Sequence, residues 1–250
     1  MALTDQQFLS AYLRRIEYDG KPTPDLQTLM RLQYRHISAI PFENLDLLKD
    51  YTPCLDLERL YEKVIVQRRG GVCFELSYLF LHLLRIIGFS AVQICASVRQ
   101  QGCMNEHPLI LVSLPEGKYI ADVGFVDTAL PVLPLKFDTV TAAYDQQFRL
   151  VSEGQYIQLQ RLNGTVFERL YTFSTAPMEV KDYMEQFRWA ATPGNTVFST
   201  YPICSRLLPD GHVFFVRDTL HVRRNGAVTS QRLTTEDQIQ ECLKTYFLPS

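Results

Sequence analysis

A glycine pair and a cysteine stand together in the segment Arg69-Gly70-Gly71-Val72-Cys73-Phe74-Glu75. A strongly apolar run, residues 76–87, follows this segment and predicts a helix that ends at Gly88. Cys73 therefore lies in the first helical turn, where unpaired backbone N–H groups and the positive end of the helix dipole favour a thiolate over a thiol. The arginine pair 68–69 acts in the same direction. We interpret Cys73 as a nucleophile.

The sequence as a whole predicts three regions that differ in secondary structure. Residues 1–88 read as helical, residues 89–177 as short β-rich runs joined by tight turns, and residues 178–250 as mixed α/β. Closely sequential strands of this kind favour a barrel or a sandwich. We expect an α+β fold in which these three regions form the domains.

The predicted elements follow from apolar periodicity and from helix and turn signals. Helical patterns cover residues 5–16, 57–66, 73–87, 180–191 and 235–246, and a further helix opens at Pro24-Asp25. Strand patterns cover residues 91–98, 107–114, 119–125, 148–151, 156–162, 165–171, 212–216 and 219–223.

Composition excludes several classes of function. The chain has 250 residues, of which 46% are hydrophobic and 21% charged, with a formal net charge of −2, so we expect neither nucleic acid nor an anionic membrane as a partner. Polar residues interrupt the longest apolar stretch, 76–91, which is therefore no membrane span. The first residues lack a signal-peptide pattern, and we expect a cytoplasmic protein. The sequence leaves the oligomeric state open.

The six cysteines are irregularly spaced and form no C-x-x-C motif, which predicts reduced thiols. Cys95, Cys103 and His107 lie near one another in the sequence, but their spacing matches no recognised zinc pattern. We therefore expect no metal.

His107 is the best candidate for the base that a cysteine nucleophile needs. It opens a strand, and Asp122 lies near the end of the next one, so a hairpin brings both toward its open end. An aspartate in such an apolar strand needs a partner. Direct register leaves the two a few residues apart, so a bulge or a bent strand must bring them together. The competing interpretation is an Asp122 bonded to backbone and a His107 at the surface.

Three segments together are similar to the arylamine N-acetyltransferase family. They are Ile40-Pro41-Phe42-Glu43-Asn44-Leu45, the segment 69–75, and His107 followed by Asp122-Val123-Gly124-Phe125. The resemblance covers nearly the whole chain and is weakest after Pro177. It implies an N-terminal helical bundle, a central antiparallel β-barrel and a C-terminal α/β lid around a cysteine-protease-like core.

The resemblance also implies a ping-pong acetyl transfer with acetyl-CoA as co-substrate. Cys73, deprotonated by His107, would take acetyl from acetyl-CoA and pass it to an arylamine or arylhydrazine. Asp122 would orient His107, and the backbone N–H of Cys73 would stabilise the oxyanion.

Further site residues enter through the same resemblance. Phe42 and Phe125 would line the acceptor pocket, although plain core packing accounts for them as well. Glu43 and Arg69 would form a structural ion pair beside the nucleophile. Thr200 would contact CoA from the lid.

The chain departs from the family pattern at four positions. Ser77 stands where Asn is usual, Val126 where a further Gly is common, and Tyr201 and Cys204 replace the usual lid residues. We expect the branched side chain of Val126 either to narrow the approach to the cysteine or to shift the path by which the pantetheine of CoA enters. The triad residues themselves match.

Other functions use related residues. A cysteine hydrolase or transglutaminase-like enzyme carries the same triad, as does an amide synthase that closes a macrocycle from another acyl donor. The phosphate cradle of enzymes that transfer acetyl directly from CoA, Q/R-x-x-G-x-G/A, fails at its last position in residues 67–72 and 223–228. A binding protein without catalysis is the remaining alternative.

Overall fold

The computed structural model describes residues 3–49, 51–98 and 107–248 and shows an N-terminal group of helices. These elements are α1 (Asp5–Arg15), α2 (Leu26–Ala39), the two-residue strand β1 (Phe42–Glu43), α3 (Leu57–Leu60), a π-helical turn (Tyr61–Val66) and α4 (Cys73–Ile87). Thr4 and Asp25 cap α1 and α2 through their side chains, as the sequence predicts. Gly88 ends α4 in a left-handed conformation, with φ of 105°.

Helix α4 is buried around most of its circumference, which explains its nearly continuous apolar sequence. Its core cluster takes side chains from α1, α2 and the strands beside it, and it also includes Tyr183 and Phe187. The predicted division into 1–88, 89–177 and 178–250 stays a prediction, since this cluster draws on all three segments.

The central part of the chain is an eight-stranded antiparallel sheet. Its strands are β2 (Ser90–Ser97), β3 (His107–Leu114), β4 (Gly117–Ala121), β5 (Leu133–Pro134), β6 (Val140–Ala143), β7 (Gln146–Glu153), β8 (Tyr156–Asn163) and β9 (Val166–Phe173). They lie in the order β5-β4-β3-β2-β9-β8-β7-β6. An isolated bridge joins Phe137, which follows the end strand β5, to Leu150 of β7, the strand next to the other end, so the sheet is a nearly closed barrel.

The C-terminal part adds α5 (Val180–Ala191), a 3₁₀ turn (Val197–Ser199), strands β10 (Ile203–Leu208), β11 (Gly211–Val216), β12 (Thr219–Arg224) and β13 (Ala227–Arg232), and α6 (Glu236–Tyr246). The second sheet has the order β1-β10-β11-β12-β13. Because Phe42 of β1 pairs with Ser205 of β10, the N-terminal loop belongs to the C-terminal sheet. No helix within the described residues has the length and apolar character to span a bilayer.

The predicted strand 119–125 is wrong in its second half, because β4 ends at Ala121 and Asp122 lies beyond it. The predictions also omit the short strands β1, β5 and β6 and the longer strands β10 and β13. Every residue of β13 is exposed, so the strand has no apolar alternation to read. Buried residues of β10 belong to core clusters that include residues from distant parts of the chain, and β10 pairs with β1 near the N-terminus as well as with the adjacent β11.

Candidate active site

The nucleophile position is built by the glycine pair that precedes α4. A β-carbon on Gly70 would lie 2.2 Å from the carbonyl oxygen of Pro41, and one on Gly71 would lie 2.7 Å from Glu75 Oε2. Glu75 Oε2 accepts the backbone N–H of Val72 at 2.9 Å and so closes the first turn of the helix. At position 70 only a residue without a side chain fits, because the clash is with backbone, whereas a β-carbon at position 71 would displace the Glu75 carboxylate.

An ion-pair network holds the loop on the other side of the glycines. Arg69 contacts Glu43 through two nitrogens, at 2.7 and 2.9 Å, and Asp46 at 3.0 Å. Burial lowers the pKa of Arg69, but the two carboxylates outweigh it and raise that pKa above its ordinary value. The structure therefore pairs Glu43 with Arg69, and Asp46 is a third member that the sequence did not indicate.

His107 and Asp122 meet where the β3–β4 ladder ends. The last pair of the ladder is Ile110 with Ala121, so continued register would place position 124 opposite His107. Instead the chain bends after Ala121, and His107 Nε2 lies 2.8 Å from Asp122 Oδ2. Both side chains are buried. The end of the strand thus supplies the bend that direct register counting required.

Gly124 fixes this bend against the nucleophile. Its N–H donates to Asp122 Oδ1 at 3.0 Å. A β-carbon at position 124 would lie 2.6 Å from Cys73 Cα and 2.8 Å from Cys73 Cβ. The absence of a side chain therefore lets the loop that carries Asp122 pack directly on Cys73. Sequence reasoning did not assign this role to Gly124.

The imidazole of His107 is set up as a cation. Burial lowers its pKa, but Asp122 and, to a smaller extent, a hydrogen bond and charge interaction with Cys73 outweigh burial and raise that pKa to about 10. Cys73 and His107 line the same cavity. An imidazolium at neutral pH stabilises a thiolate beside it through charge and hydrogen bonding.

Two buried residues that sequence reasoning missed complete the surroundings of Asp122. The hydroxyl of Tyr171 donates to Asp122 Oδ2 at 3.1 Å, and burial, together with Asp122, raises the pKa of Tyr171 well above its ordinary value. Gln33 accepts the backbone N–H of Asp122 at 3.2 Å and donates to the carbonyl of Leu130 at 2.7 Å. The available signal was an amide on the apolar face of α2, next to Leu32.

A cavity of about 340 Å³ opens above Cys73 and His107. Phe42, Phe125 and Val126 line it, and α5 and the 3₁₀ turn contribute a further wall through Phe187, Trp189 and Phe198. The ring centroid of Phe125 lies 5.3 Å from that of His107, and those of Phe42 and Phe198 are 5.7 Å apart. The lining is predominantly apolar, which suits a flat aromatic ligand.

The segment 198–203, here called the lid segment, is hydrogen-bonded to Asn44, which directly follows β1. Thr200 of this segment does not line the cavity. The side-chain amide of Asn44 donates to the carbonyls of Phe198 and Tyr201 at 2.7 and 2.9 Å, and Asn44 Oδ1 accepts the N–H of Ile203 at 2.7 Å. Thr200 is exposed, and its hydroxyl donates to the carbonyl of Thr196 at 2.7 Å. Asn44 is thus the residue that joins the loop of the ion-pair network to the lid.

Three of the four departures from the family pattern have local partners. Ser77 Oγ accepts from the side chain of Gln93 at 3.1 Å, which links α4 to β2. The guanidinium of Arg217 lies 4.2 Å from the ring centroid of Tyr201. Cys204 is fully buried in the C-terminal core.

Two other buried histidines lie in the core. His36 Nδ1 is hydrogen-bonded to the hydroxyl of Tyr12 at 2.6 Å, whereas its Nε2 has no hydrogen-bond partner within the described residues, and burial lowers the pKa of His36 to about 3. His212 pairs with Ser205 at 2.8 Å, and burial lowers its pKa to about 4. Both are neutral at physiological pH.

No metal-binding cluster of His, Cys, Asp and Glu occurs within residues 3–49, 51–98 and 107–248. Cys103 of the sequence-based candidate lies outside the described residues. Burial raises the pKa of Cys95, another member, to about 12.

Comparison with known sequences identifies close relatives of the whole chain. A family model described as N-acetyltransferase matches residues 25–249. The arylamine N-acetyltransferase of Escherichia coli (strain K12) is 33% identical over 208 residues, which cover 81% of this chain and 74% of that protein. Proansamycin X synthase of Amycolatopsis mediterranei is 30% identical over 244 residues, which cover 93% of this chain and 94% of that protein.

Solved structures give the same result. The arylamine N-acetyltransferase from Salmonella typhimurium superimposes with a TM-score of 0.92 at 29% identity, covering 99% of this chain and 92% of that one. The Mycobacterium marinum enzyme in complex with CoA superimposes with a TM-score of 0.88 at 27% identity, covering 94% and 90%. The predicted fold of helices, barrel and α/β region is confirmed. The chain therefore belongs to the arylamine N-acetyltransferase family of enzymes.

Proposed function

We propose that this enzyme carries acetyl from acetyl-CoA to an arylamine or arylhydrazine on Cys73, in a ping-pong reaction. One observation carries the proposal: Cys73 lies beside a buried His107 whose Nε2 is 2.8 Å from Asp122, and the pKa of His107 is raised to about 10. A thiolate beside an imidazolium is the activated form of a cysteine nucleophile.

In the first half-reaction, the Cys73 thiolate attacks the thioester carbonyl of acetyl-CoA. The new C–S bond forms, and the carbonyl electrons move to oxygen. The backbone N–H of Cys73, in the first turn of α4 without an intrahelical acceptor, supports this oxyanion. When the intermediate collapses, the bond to the CoA sulfur breaks, and His107 gives its proton to that sulfur. Free CoA leaves, Cys73 is acetylated and His107 is neutral.

In the second half-reaction, the nitrogen of the acceptor attacks the acetyl carbon on Cys73. Neutral His107 takes the proton that the nitrogen loses, and Asp122 stabilises the imidazolium that forms. The C–S bond to Cys73 then breaks. The product is an N-acetyl amide or hydrazide, and the thiolate–imidazolium pair is restored.

The cavity supports the aromatic class of acceptor. Phe125 places its ring 5.3 Å from that of His107, and Phe42 and Val126 line the same cavity. We propose that Phe42 and Phe125 bind the acceptor ring. The structure of a relative with CoA supports CoA as the donor here, and we propose Thr200 as a contact outside the acceptor cavity. A net charge of −2 gives no support for a nucleic-acid partner.

The thiols support a reducing, cytoplasmic location. Cys54, Cys73, Cys95, Cys204 and Cys242 are all free in the described residues. A reduced thiol is what the proposed mechanism needs at Cys73.

The likeness to proansamycin X synthase favours a second candidate, an amide synthase that uses the same triad on another acyl donor. Initial rates distinguish the two. Parallel lines in double-reciprocal plots with acetyl-CoA and an arylamine, together with release of free CoA before the amine is added, support acetyl transfer. Intersecting lines, or no CoA release with acetyl-CoA while another acyl thioester reacts, overturn it.

A further inference from the structure

A buried carboxylate lies two residues beyond the nucleophile. Glu75 is 1% exposed, and its Oε2 accepts the N–H of Val72 at 2.9 Å, so it caps the helix that begins at Cys73. Cys73 and Glu75 lie in the same first turn of α4, and a negative charge buried in that turn disfavours a thiolate there. The cap that positions the nucleophile thus opposes its ionisation unless a cation neutralises it.

Lys63 supplies that cation. Its Nζ lies 3.1 and 3.0 Å from the two carboxylate oxygens of Glu75, and 2.8 Å from Asp46. The hydroxyl of Tyr51 also donates to Glu75 Oε1, at 2.5 Å. Burial lowers the pKa of Lys63, but the carboxylates of Glu75, Glu43 and Asp46 outweigh it and raise that pKa. Lys63 is therefore an ammonium throughout the neutral range.

The backbone that carries Lys63 is specially shaped. Residues Tyr61–Val66 form a π-helical turn, and the N–H of Gln67 donates to the carbonyl of Glu62 five residues earlier, at 2.9 Å. The buried Arg15 donates to the carbonyls of Val64 and Arg68, both at 3.1 Å. Single π turns occur frequently at functional sites. Here the turn and Arg15 fix the segment from which Lys63 reaches both Asp46 and Glu75.

We propose that Lys63 is a positioning residue for the reaction: by neutralising Glu75, it lets this carboxylate cap α4 without opposing the Cys73 thiolate. The inference rests on the proposed role of Cys73 as the nucleophile. Lys63 touches no substrate-lining surface of the cavity and acts through Glu75.

Several other ionisable groups lie near Cys73 and near the ion pair of Lys63 and Glu75. His107 from β3 and Asp127 from the loop after β4 face the cavity with Cys73. Tyr51 and Lys63 face Glu75, while Asp46 and Glu43 face Lys63. Substitution of Lys63 removes the positive charge of the ion pair, and substitution of Glu75 removes its negative charge. Neither substitution changes the other ionisable groups.

The test is the pH dependence of Cys73 alkylation by iodoacetamide, followed by peptide mass spectrometry between pH 5 and 10. Lys63→Met is expected to raise the pH of half-maximal alkylation by about one unit, a roughly tenfold slower rate on the rising limb. Glu75→Gln is expected to lower it, and the double variant to return toward the wild-type value. Lys63→Arg keeps the positive charge and is expected to keep the wild-type alkylation profile. Lys244→Met, on the exposed face of α6, is the control and is expected to leave the profile unchanged.

Two results overturn the proposal. In one, Lys63→Met lowers the melting temperature but leaves the alkylation profile in place, which is a purely structural role. In the other, the double variant keeps the profile of Lys63→Met, which means that charge on Glu75 is not the link. Glu75→Gln gives an independent reading if Lys63→Met does not fold. Failure of the proposed function has a different signature: wild-type Cys73 reacts no faster than the other thiols, with or without His107.

Discussion

Gly124 packs on Cys73 so closely that a β-carbon at position 124 would lie 2.6 Å from Cys73 Cα. This approach joins two halves of the site that arise from different parts of the fold. Cys73 is placed by a helix and its glycine pair, whereas His107 and Asp122 are placed by the end of a hairpin. Because Gly124 also donates to Asp122, one glycine contacts both halves of the site.

Gly124→Ala therefore separates the halves. A methyl group has no room against backbone and β-carbon, so we expect the loop to shift and kcat/KM to fall by about 100-fold. Steady-state kinetics with acetyl-CoA and an arylamine measures this loss. Gly20→Ala is the control, since Gly20 has a φ of 93° and open space around it, so the variant loses roughly 1–2 kcal/mol of stability but keeps its activity. Equal activity losses in both variants would contradict the role given to Gly124.

Asp122→Asn removes the charge that holds the His107 cation. We expect the pKa of His107 to fall toward or below its ordinary value, because burial lowers this pKa and the Asp122 charge that mainly offsets burial is gone. The loss in kcat/KM should be roughly 10³- to 10⁴-fold, as expected when the orienting carboxylate of a triad is replaced. NMR titration of the His107 ring gives the pKa directly. An unchanged pKa in the variant would show that Asp122 is not its cause.

The raised pKa of His107 also links stability to pH. The ring binds its proton more tightly in the folded protein, where its pKa is about 10, than in the unfolded chain, where its pKa is about 6.5. Its contribution to the free energy of unfolding is therefore complete below about pH 6.5 and is lost as pH rises toward 10. Urea unfolding of the wild type and of His107→Gln should show a stability difference that shrinks across this interval. A difference that grows with pH would reverse the assignment.

Val126 is predicted to limit the size of the acceptor. It lines the cavity beside Phe125, where a smaller residue is common in the family. We expect Val126→Gly to raise kcat/KM for two-ring arylamines relative to single-ring ones by roughly tenfold. Val228→Gly, at an exposed position of β13, is the matched control and should leave the ratio unchanged. The same ratio in all three proteins would show that Val126 is no barrier.

Part of the site could be predicted from the sequence because its signals are local. The start of α4 at Cys73 follows from a glycine pair before an apolar run, and an aspartate in an apolar strand needs a partner wherever it lies. The structure accordingly brings together Cys73, His107 and Asp122. The pairing of Glu43 with Arg69 came from family resemblance, and the geometry contains it.

The remainder depends on contacts between residues far apart in the chain. Tyr171 and Gln33 reach Asp122 from β9 and α2. The sequence marks Gln33 only as an amide on the apolar face of α2, and it does not show which residue that amide contacts. Strand β10 pairs on one side with β1, which lies far earlier in the chain, so the residues near β10 in the sequence do not reveal this pairing. The close approach of Gly124 exists only once the hairpin and α4 have packed.

The most direct measurement is the mass of the intact enzyme after incubation with acetyl-CoA alone, with peptide mapping of the modified residue. A single acetyl group on Cys73, absent in Cys73→Ala and discharged when an arylamine is added, is the predicted result. The absence of any adduct while product still forms from acetyl-CoA and amine together would contradict a covalent acetyl-enzyme. It would remove Cys73 as the carrier.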